Sequence, residues 1–139
     1  MIISKTPIRI SLFGGGTDFP EYFNNRDATI IGGTINKFIY VSLIKQNLKL
    51  KKKKIKLYYR LKEEVDKISD IKHGVIKAAL KKYDLKNNIE MHISSDLPSH
   101  TGLGSSSSFT VGLLNLLRNE KNLKINKYEL AKEAINFER

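Results

Sequence analysis

One segment restricts this chain more than any other: Gly102-Leu103-Gly104-Ser105-Ser106-Ser107-Ser108. Before it, Ile89, Met91 and Ile93 alternate as in a strand. After it, an apolar run of helical period continues through Leu117. A strand, a glycine-rich turn and a helix N-terminus make a preformed anion site, because unpaired backbone N–H groups and the positive end of the helix dipole face whatever binds. The glycines let the backbone approach phosphate oxygens. The serine hydroxyls can donate to them or ligate magnesium through oxygen, and Pro98 stiffens the entry to the loop. A Walker A loop needs lysine and Ser/Thr after its last glycine, whereas Gly104 is followed by serine. The dinucleotide fingerprint needs a third glycine where Ser107 stands, and it starts directly at a strand end. A serine-rich helix cap with a flexible lead-in remains as the bland alternative, but four consecutive serines exceed what capping requires.

The rest of the pattern is mixed. Ile8, Ile10 and Leu12 alternate with Arg9, Ser11 and Phe13, which predicts a strand with one face toward a core and Arg9 and Ser11 on the other. It ends in Gly14-Gly15-Gly16-Thr17-Asp18, and a loop or short helix follows from Pro20 to Asn25. Residues 29–35 and 37–45 read as two strands, and Ile55, Leu57, Tyr59 and Leu61 as another. Asp70 is placed to cap a helix carrying Ile71, Val75, Ile76, Ala79, Leu80 and Tyr83, with polar stop signals from Asp84 to Asn88. Asn126 and Glu129 open a last helix in the manner of a capping box. The order predicts one domain of α+β class, a mostly antiparallel sheet covered by helices.

Composition removes several classes of function. With 139 residues and 40% hydrophobic content the chain can build one real core. It has no long apolar run or export-type N-terminus, so a cytoplasmic, non-membrane protein is expected. The absence of cysteine rules out disulfides and thiolate metal sites, and His73, His92 and His100 lack ligand spacing, so any metal needs oxygen ligands. The formal charge of +11 admits a polyanionic partner. The lysines are dispersed, however, and their one dense run at residues 51–54 reads as a solvated hairpin or edge segment rather than a nucleic-acid surface.

Pro98-x-x-x-Gly102-Leu103-Gly104-Ser105-Ser106 resembles the phosphate loop of the GHMP kinases, the family of galactokinase, homoserine kinase and mevalonate kinase. Pro7-x-Arg9-x-Ser11-Leu12-x-Gly14-Gly15-Gly16-Thr17-Asp18 resembles the sugar-binding signature of its sugar kinases, in the right order along the chain. The triple glycine, with Pro20, Tyr22 and Gly32-Gly33, is most similar to the kinases of D-glycero-α-D-manno-heptose 7-phosphate and the related fucokinase-type domains.

The resemblance implies a ribosomal-protein-S5-domain-2-like N-terminal domain over residues 1–139, with ATP and Mg2+ as cofactors and a sugar phosphate as the small-molecule partner. It also implies that Pro98, Gly102, Leu103, Gly104, Ser105, Ser106, Ser107 and Ser108 hold the nucleotide, and that Gly14, Gly15, Gly16, Thr17 and Asp18 bind the sugar together with Arg9, which steadies charge near the attacking oxygen. Read from the residues alone, Arg9 could be a surface strand position and Asp18 a turn residue closing the glycine loop.

Glu138 falls on the apolar arc of the last helix with Leu130, Ala134 and Phe137, and there needs a lysine, a capping amide or a metal as partner, unless the helix end frays into solvent. The resemblance makes it a magnesium ligand with Ser106, or with Ser105 as the other choice. It gives His100 no chemical role. Family members carry a second domain, so this chain is expected to be a fragment whose catalytic base lies beyond Arg139. Nucleic-acid binding and an inactive truncated product stand as alternatives, and the oligomeric state is left open.

Overall fold

The computed structural model describes residues 1–46, 54–86, 88–98, 102–124 and 126–138. Five strands form one sheet in the order β1-β2-β5-β3-β4: β1 (Ile2–Phe13), β2 (Ile31–Lys45), β3 (Ile55–Tyr58), β4 (Lys62–Val65) and β5 (Ile89–Ser95). Every neighbouring pair is antiparallel except β3 with β5. This is the α+β, mostly antiparallel arrangement expected from the sequence. The helices are α1 (Pro20–Phe23), α2 (Gly74–Lys82), α3 (Ser105–Glu120) and α4 (Lys127–Glu138). Alternate residues Ile39, Val41 and Leu43 of β2, Ile55 and Leu57 of β3, and Ile89 and Met91 of β5 are buried in one core with Leu113, Leu114, Leu116 and Leu117 of α3.

Several local expectations change. The two strands read at 29–35 and 37–45 are one long strand, β2, and its register against β1 shifts between Pro7 and Arg9, where β2 advances from Phe38 to Thr34. Extra residues in β2 at that point interrupt the pattern without ending the strand. The run from Ile55 to Leu61 is broken into β3 and a turn, closed by the Tyr59 N–H donating to the Leu61 carbonyl at 3.0 Å. The chain then returns as β4, which alternation alone could not show. Asp70 lies in a 3-10 turn (Ile68–Asp70) and accepts from the Ser69 hydroxyl, and the cap of α2 is His73. Ile71 is extended, with φ −65° and ψ 129°, so the helix cannot run through it. Helix α3 continues past Leu117 to Glu120, while Asn126 does cap α4, accepting from the N–H groups of Tyr128 and Glu129.

Strand β1 begins earlier than its clearest alternation, with Ser4 and Ile8 buried. Leu12, read as core-facing, is 65% exposed, and Ile10 is half-buried. β1 is an edge strand, where the missing N–H of Pro7 is tolerated. Helix α3 approaches β1 closely at Gly112, where a β-carbon would lie 2.5 Å from Thr6 Oγ1 and 3.5 Å from Ser4 Oγ. Gly112→Leu is expected to cost about 1–3 kcal/mol by overpacking, read as a lower urea midpoint. Gly112→Ala should cost less, because the Thr6 hydroxyl can rotate away.

Candidate phosphate-binding site

Helix α3 starts on a glycine. Gly104 is its N-cap residue, in the left-handed conformation at φ 65°, and makes no side-chain cap bond. The first helical hydrogen bond runs from Ser108 N–H to the Gly104 carbonyl at 3.1 Å, so the N–H groups of Ser105, Ser106 and Ser107 precede the ladder. The serine-cap alternative is therefore not what the backbone adopts. Arg9 lies against the bare face of Gly104: a β-carbon there would be 3.0 Å from Arg9 Nε and 3.1 Å from its Cγ and Cζ. The fold thus joins the N-terminal motif to the glycine–serine loop.

Two hydrogen-bonded ties fix that junction. The Ser108 hydroxyl donates to the Pro7 carbonyl at 3.1 Å, so this serine is buried and its proton is directed to β1. At the loop's entry, Phe38 N–H donates to Asp96 Oδ2 at 2.9 Å, and Asp96 N–H to the Phe38 carbonyl at 3.0 Å. Pro98 and Leu103 flank the loop as exposed and half-buried residues, and Gly102 has φ 71°. Ser99, His100 and Thr101 lie outside the described residues, as do Lys51, Lys52, Lys53 and Arg139. Lys54, the last of the lysine run, pairs with Glu64 on the edge strand β4 at 2.5 Å.

The last turn of α4 meets the first turns of α3. The Ser107 hydroxyl donates to Glu138 Oε2 at 2.9 Å. The Thr110 hydroxyl lies 3.1 Å from the Ser106 carbonyl and 3.3 Å from Glu138 Oε1, and its single proton serves one at a time. Glu138 is exposed, as is Ser106 beside it in sequence to Ser107. One carboxylate and one hydroxyl suit magnesium, which keeps waters and takes one or two carboxylates plus phosphate oxygens rather than a protein cage. Among the described residues no cluster of three acidic or histidine side chains offers an alternative metal site.

The N-terminal glycine loop is closed on itself. Thr17 donates its N–H at 3.1 Å and its hydroxyl at 2.7 Å to the Gly14 carbonyl, and Asp18 Oδ1 accepts from Gly16 N–H at 3.1 Å. Asp18 thus closes the loop and keeps a second carboxylate oxygen. Gly14, at φ 76°, leaves no room for a side chain, since a β-carbon would lie 2.0 Å from the Thr29 carbonyl oxygen. Gly15 and Gly16 are exposed, with nothing within 4 Å of a β-carbon at Gly16.

Beside Ser105 and Ser106 opens a cleft of about 740 Å³, lined also by Tyr59, His73, Pro98 and Phe109. Its size lies in the range usual for small-molecule sites. The His73 ring meets Tyr59 edge-on at 5.1 Å and Phe109 at 5.4 Å. His73 Nδ1 accepts from Ile76 N–H at 3.5 Å, and desolvation holds its pKa below the usual histidine value although the Glu63 charge pulls the other way. Burial, then the hydrogen bond and charge of Glu63, push the Tyr59 hydroxyl up to about 12, so it remains a donor. None of these three rings was singled out for the site from the sequence. They come from three separate elements, and only the fold gathers them.

Glycine-started helix, adjoining arginine and converging carboxylate define an α+β domain built around an open helix terminus. The family model for the N-terminal domain of GHMP kinases matches residues 70–139. A Campylobacter jejuni protein named D-glycero-alpha-D-manno-heptose 7-phosphate kinase is 32% identical over 149 aligned positions, covering 99% of this chain and 43% of the relative. The chain therefore belongs to the GHMP kinase family. A solved D-glycero-D-manno-heptose 1-phosphate kinase from Bacteroides thetaiotaomicron superposes with a TM-score of 0.84 at 24% identity, over 100% of this chain and 48% of that one. A Campylobacter jejuni structure described as a sugar kinase gives 0.75 at 28% identity, over 99% and 44%. The chain spans less than half the length of these relatives.

His73 gives the site a pH signature. Because the folded state lowers its pKa, the unfolded chain takes up a proton near pH 6.5 that the folded chain resists. Stability should fall as pH drops from about 6.5 toward the folded value, and level off below it. Thermal midpoints between pH 7.5 and 5 check this, and His73→Asn, which keeps a capping oxygen without titrating, should flatten that part of the curve.

Proposed function

We propose that residues 1–139 are the nucleotide- and sugar-binding N-terminal domain of an ATP-dependent sugar kinase. Its substrate on this reading is D-glycero-D-manno-heptose 7-phosphate, phosphorylated at the anomeric C1 hydroxyl to the 1,7-bisphosphate for a nucleotide-activated heptose used in surface polysaccharide. The observation that carries it is the meeting of Arg9 with Gly104 at the open start of α3. That contact puts the sugar-type motif and the phosphate-type loop in one place. The heptose choice rests on the triple-glycine motif and the 32% identical relative, and a fucokinase or another sugar-1-kinase is the alternative.

In this mechanism the N–H groups of Ser105, Ser106 and Ser107 receive the ATP phosphates, and the body of the nucleotide follows the cleft past Phe109 and His73. Ser106 and Glu138 would hold Mg2+, which would supply charge neutralisation for the phosphates. Gly14, Gly15, Gly16, Thr17 and Asp18 hold the sugar hydroxyls, with the free oxygen of Asp18 as acceptor. The C1 hydroxyl oxygen attacks the γ-phosphorus in line and gives up its proton to solvent, the bond to the β–γ bridging oxygen breaks, and ADP leaves with that electron pair. Arg9 steadies the negative charge of the transferring group. Catalysis is then mostly positioning and electrostatic stabilisation; no residue here is assigned as the base. Ser108, whose hydroxyl is bonded to Pro7, contributes through the backbone start of the helix. Among the described residues no helix is long and apolar enough to cross a membrane. A cytoplasmic site of action belongs to the same reading.

Calorimetric titration of the chain with Mg-ATP, beside a Ser106→Ala/Glu138→Ala double variant and a salt series, tests this. One-to-one saturable binding, weakened about tenfold or more by the double variant, is the expected outcome, comparable to losing a charged contact. A folded chain with no binding would overturn the nucleotide site for this polypeptide. Affinity for any polyanion that collapses with salt, without nucleotide preference, would instead support a nucleic-acid-binding module.

A further inference from the structure

Two of the rings that line the cleft are held by a carboxylate outside both motifs. Glu63 lies on the edge strand β4, yet it is only 7% exposed. Its Oε1 accepts the Tyr59 hydroxyl at 2.5 Å and its Oε2 the Lys72 N–H at 2.8 Å. Burial raises its pKa, but the Lys72 N–H, the Tyr59 hydroxyl and the His73 backbone together bring it below the usual glutamate value, so it is ionised at neutral pH. A buried charge balanced by directed donors fixes the groups that supply them. Those donors belong to two segments, the β3–β4 turn carrying Tyr59 and the turn carrying Lys72 and His73, and both present a ring to the cleft.

We propose that Glu63 is a positioning residue: it locks Tyr59 and His73 into a preformed wall against the nucleoside part of a nucleotide whose phosphates sit at Gly104 to Ser107. This rests on the nucleotide reading above and extends it to a residue that touches no ligand. Without the carboxylate, Tyr59 and the 72–73 turn lose their common anchor, and the wall must be ordered at the expense of binding. The phosphate end, built on α3 and β1, shares none of these bonds.

The test compares Mg-ATP with Mg-tripolyphosphate, which keeps the phosphates and lacks the nucleoside, on the full chain. Glu63→Gln is expected to weaken ATP about tenfold, the size of one charged hydrogen-bond partner lost, and to leave tripolyphosphate within about twofold. Tyr59→Phe, which keeps the ring and Glu63's backbone bonds, should show the same selectivity with a smaller loss, and it carries the test if Glu63→Gln does not fold. Equal losses for both ligands, or none for ATP in either folded variant, would overturn the proposal. If the unaltered chain binds tripolyphosphate as well as ATP, the wall meets no nucleoside and the role fails while the phosphate site stands. If it binds neither, the nucleotide reading falls first and this role with it.

Discussion

Helix α3 lies directly on strand β1, and the candidate site depends on that contact. The approach is set at Gly112, where the missing side chain lets the helix backbone settle over Thr6 and Ser4, and is pinned by the Ser108 hydroxyl on the Pro7 carbonyl. Pro7 and Arg9 are two positions apart on β1, and Ser108 and Gly104 are one helical turn apart on α3. Holding Ser108 on Pro7 therefore brings Gly104 to Arg9. The register shift of β2 occurs at the same place, between Pro7 and Arg9. The sheet is thus locally irregular where its edge strand is used.

The start of α3 breaks the usual bookkeeping of helix ends. A serine or aspartate cap would satisfy N–H groups internally and be worth about 1 kcal/mol. Here a left-handed glycine begins the helix and leaves those donors to whatever approaches. The neighbouring side chains are disposed consistently with that opening. Ser108 is directed to β1, Ser107 to Glu138 and Asp96 back to β2, so these three side chains are tied, while the first-turn amides have no hydrogen-bond partner among the described residues. The same helix is buried along Leu113, Leu114, Leu116 and Leu117, which keeps its exposed end from shifting.

Much of this was legible beforehand, for identifiable reasons. The class of fold, β5, α3 and the Asn126 cap follow from periodicity and capping chemistry, which are local. The glycine–serine loop was legible because its composition exceeds what capping demands. Sequence and structure part where one pattern has two solutions. Alternation from Ile55 to Leu61 continues through a turn, since a two-residue period does not register a chain reversal there. Asp70 is as good a capping residue as any, but Ile71 is held extended in the core, and His73, an uncommon cap, takes the place. Leu12 keeps the period of a buried position, yet it lies past Arg9, which meets the start of α3, and is exposed. The cleft was not legible at all, since Tyr59, His73 and Phe109 are scattered along the chain and share no motif.

Glu138 and Glu63 show why residue type alone could not settle the site. Both stand at positions of apolar neighbourhood, and the sequence reading singled out only the first. In the fold Glu138 is exposed and accepts from the neutral Ser107 hydroxyl, while the Thr110 proton serves either it or the Ser106 carbonyl. Glu63 is buried and its donors include backbone N–H groups, which hold the charge and at the same time the chain. A carboxylate whose charge is unspent suits a cation or a phosphate-bound metal; one whose charge is consumed by directed donors suits the fixing of structure. The distinction lies in what surrounds each group rather than in the group itself.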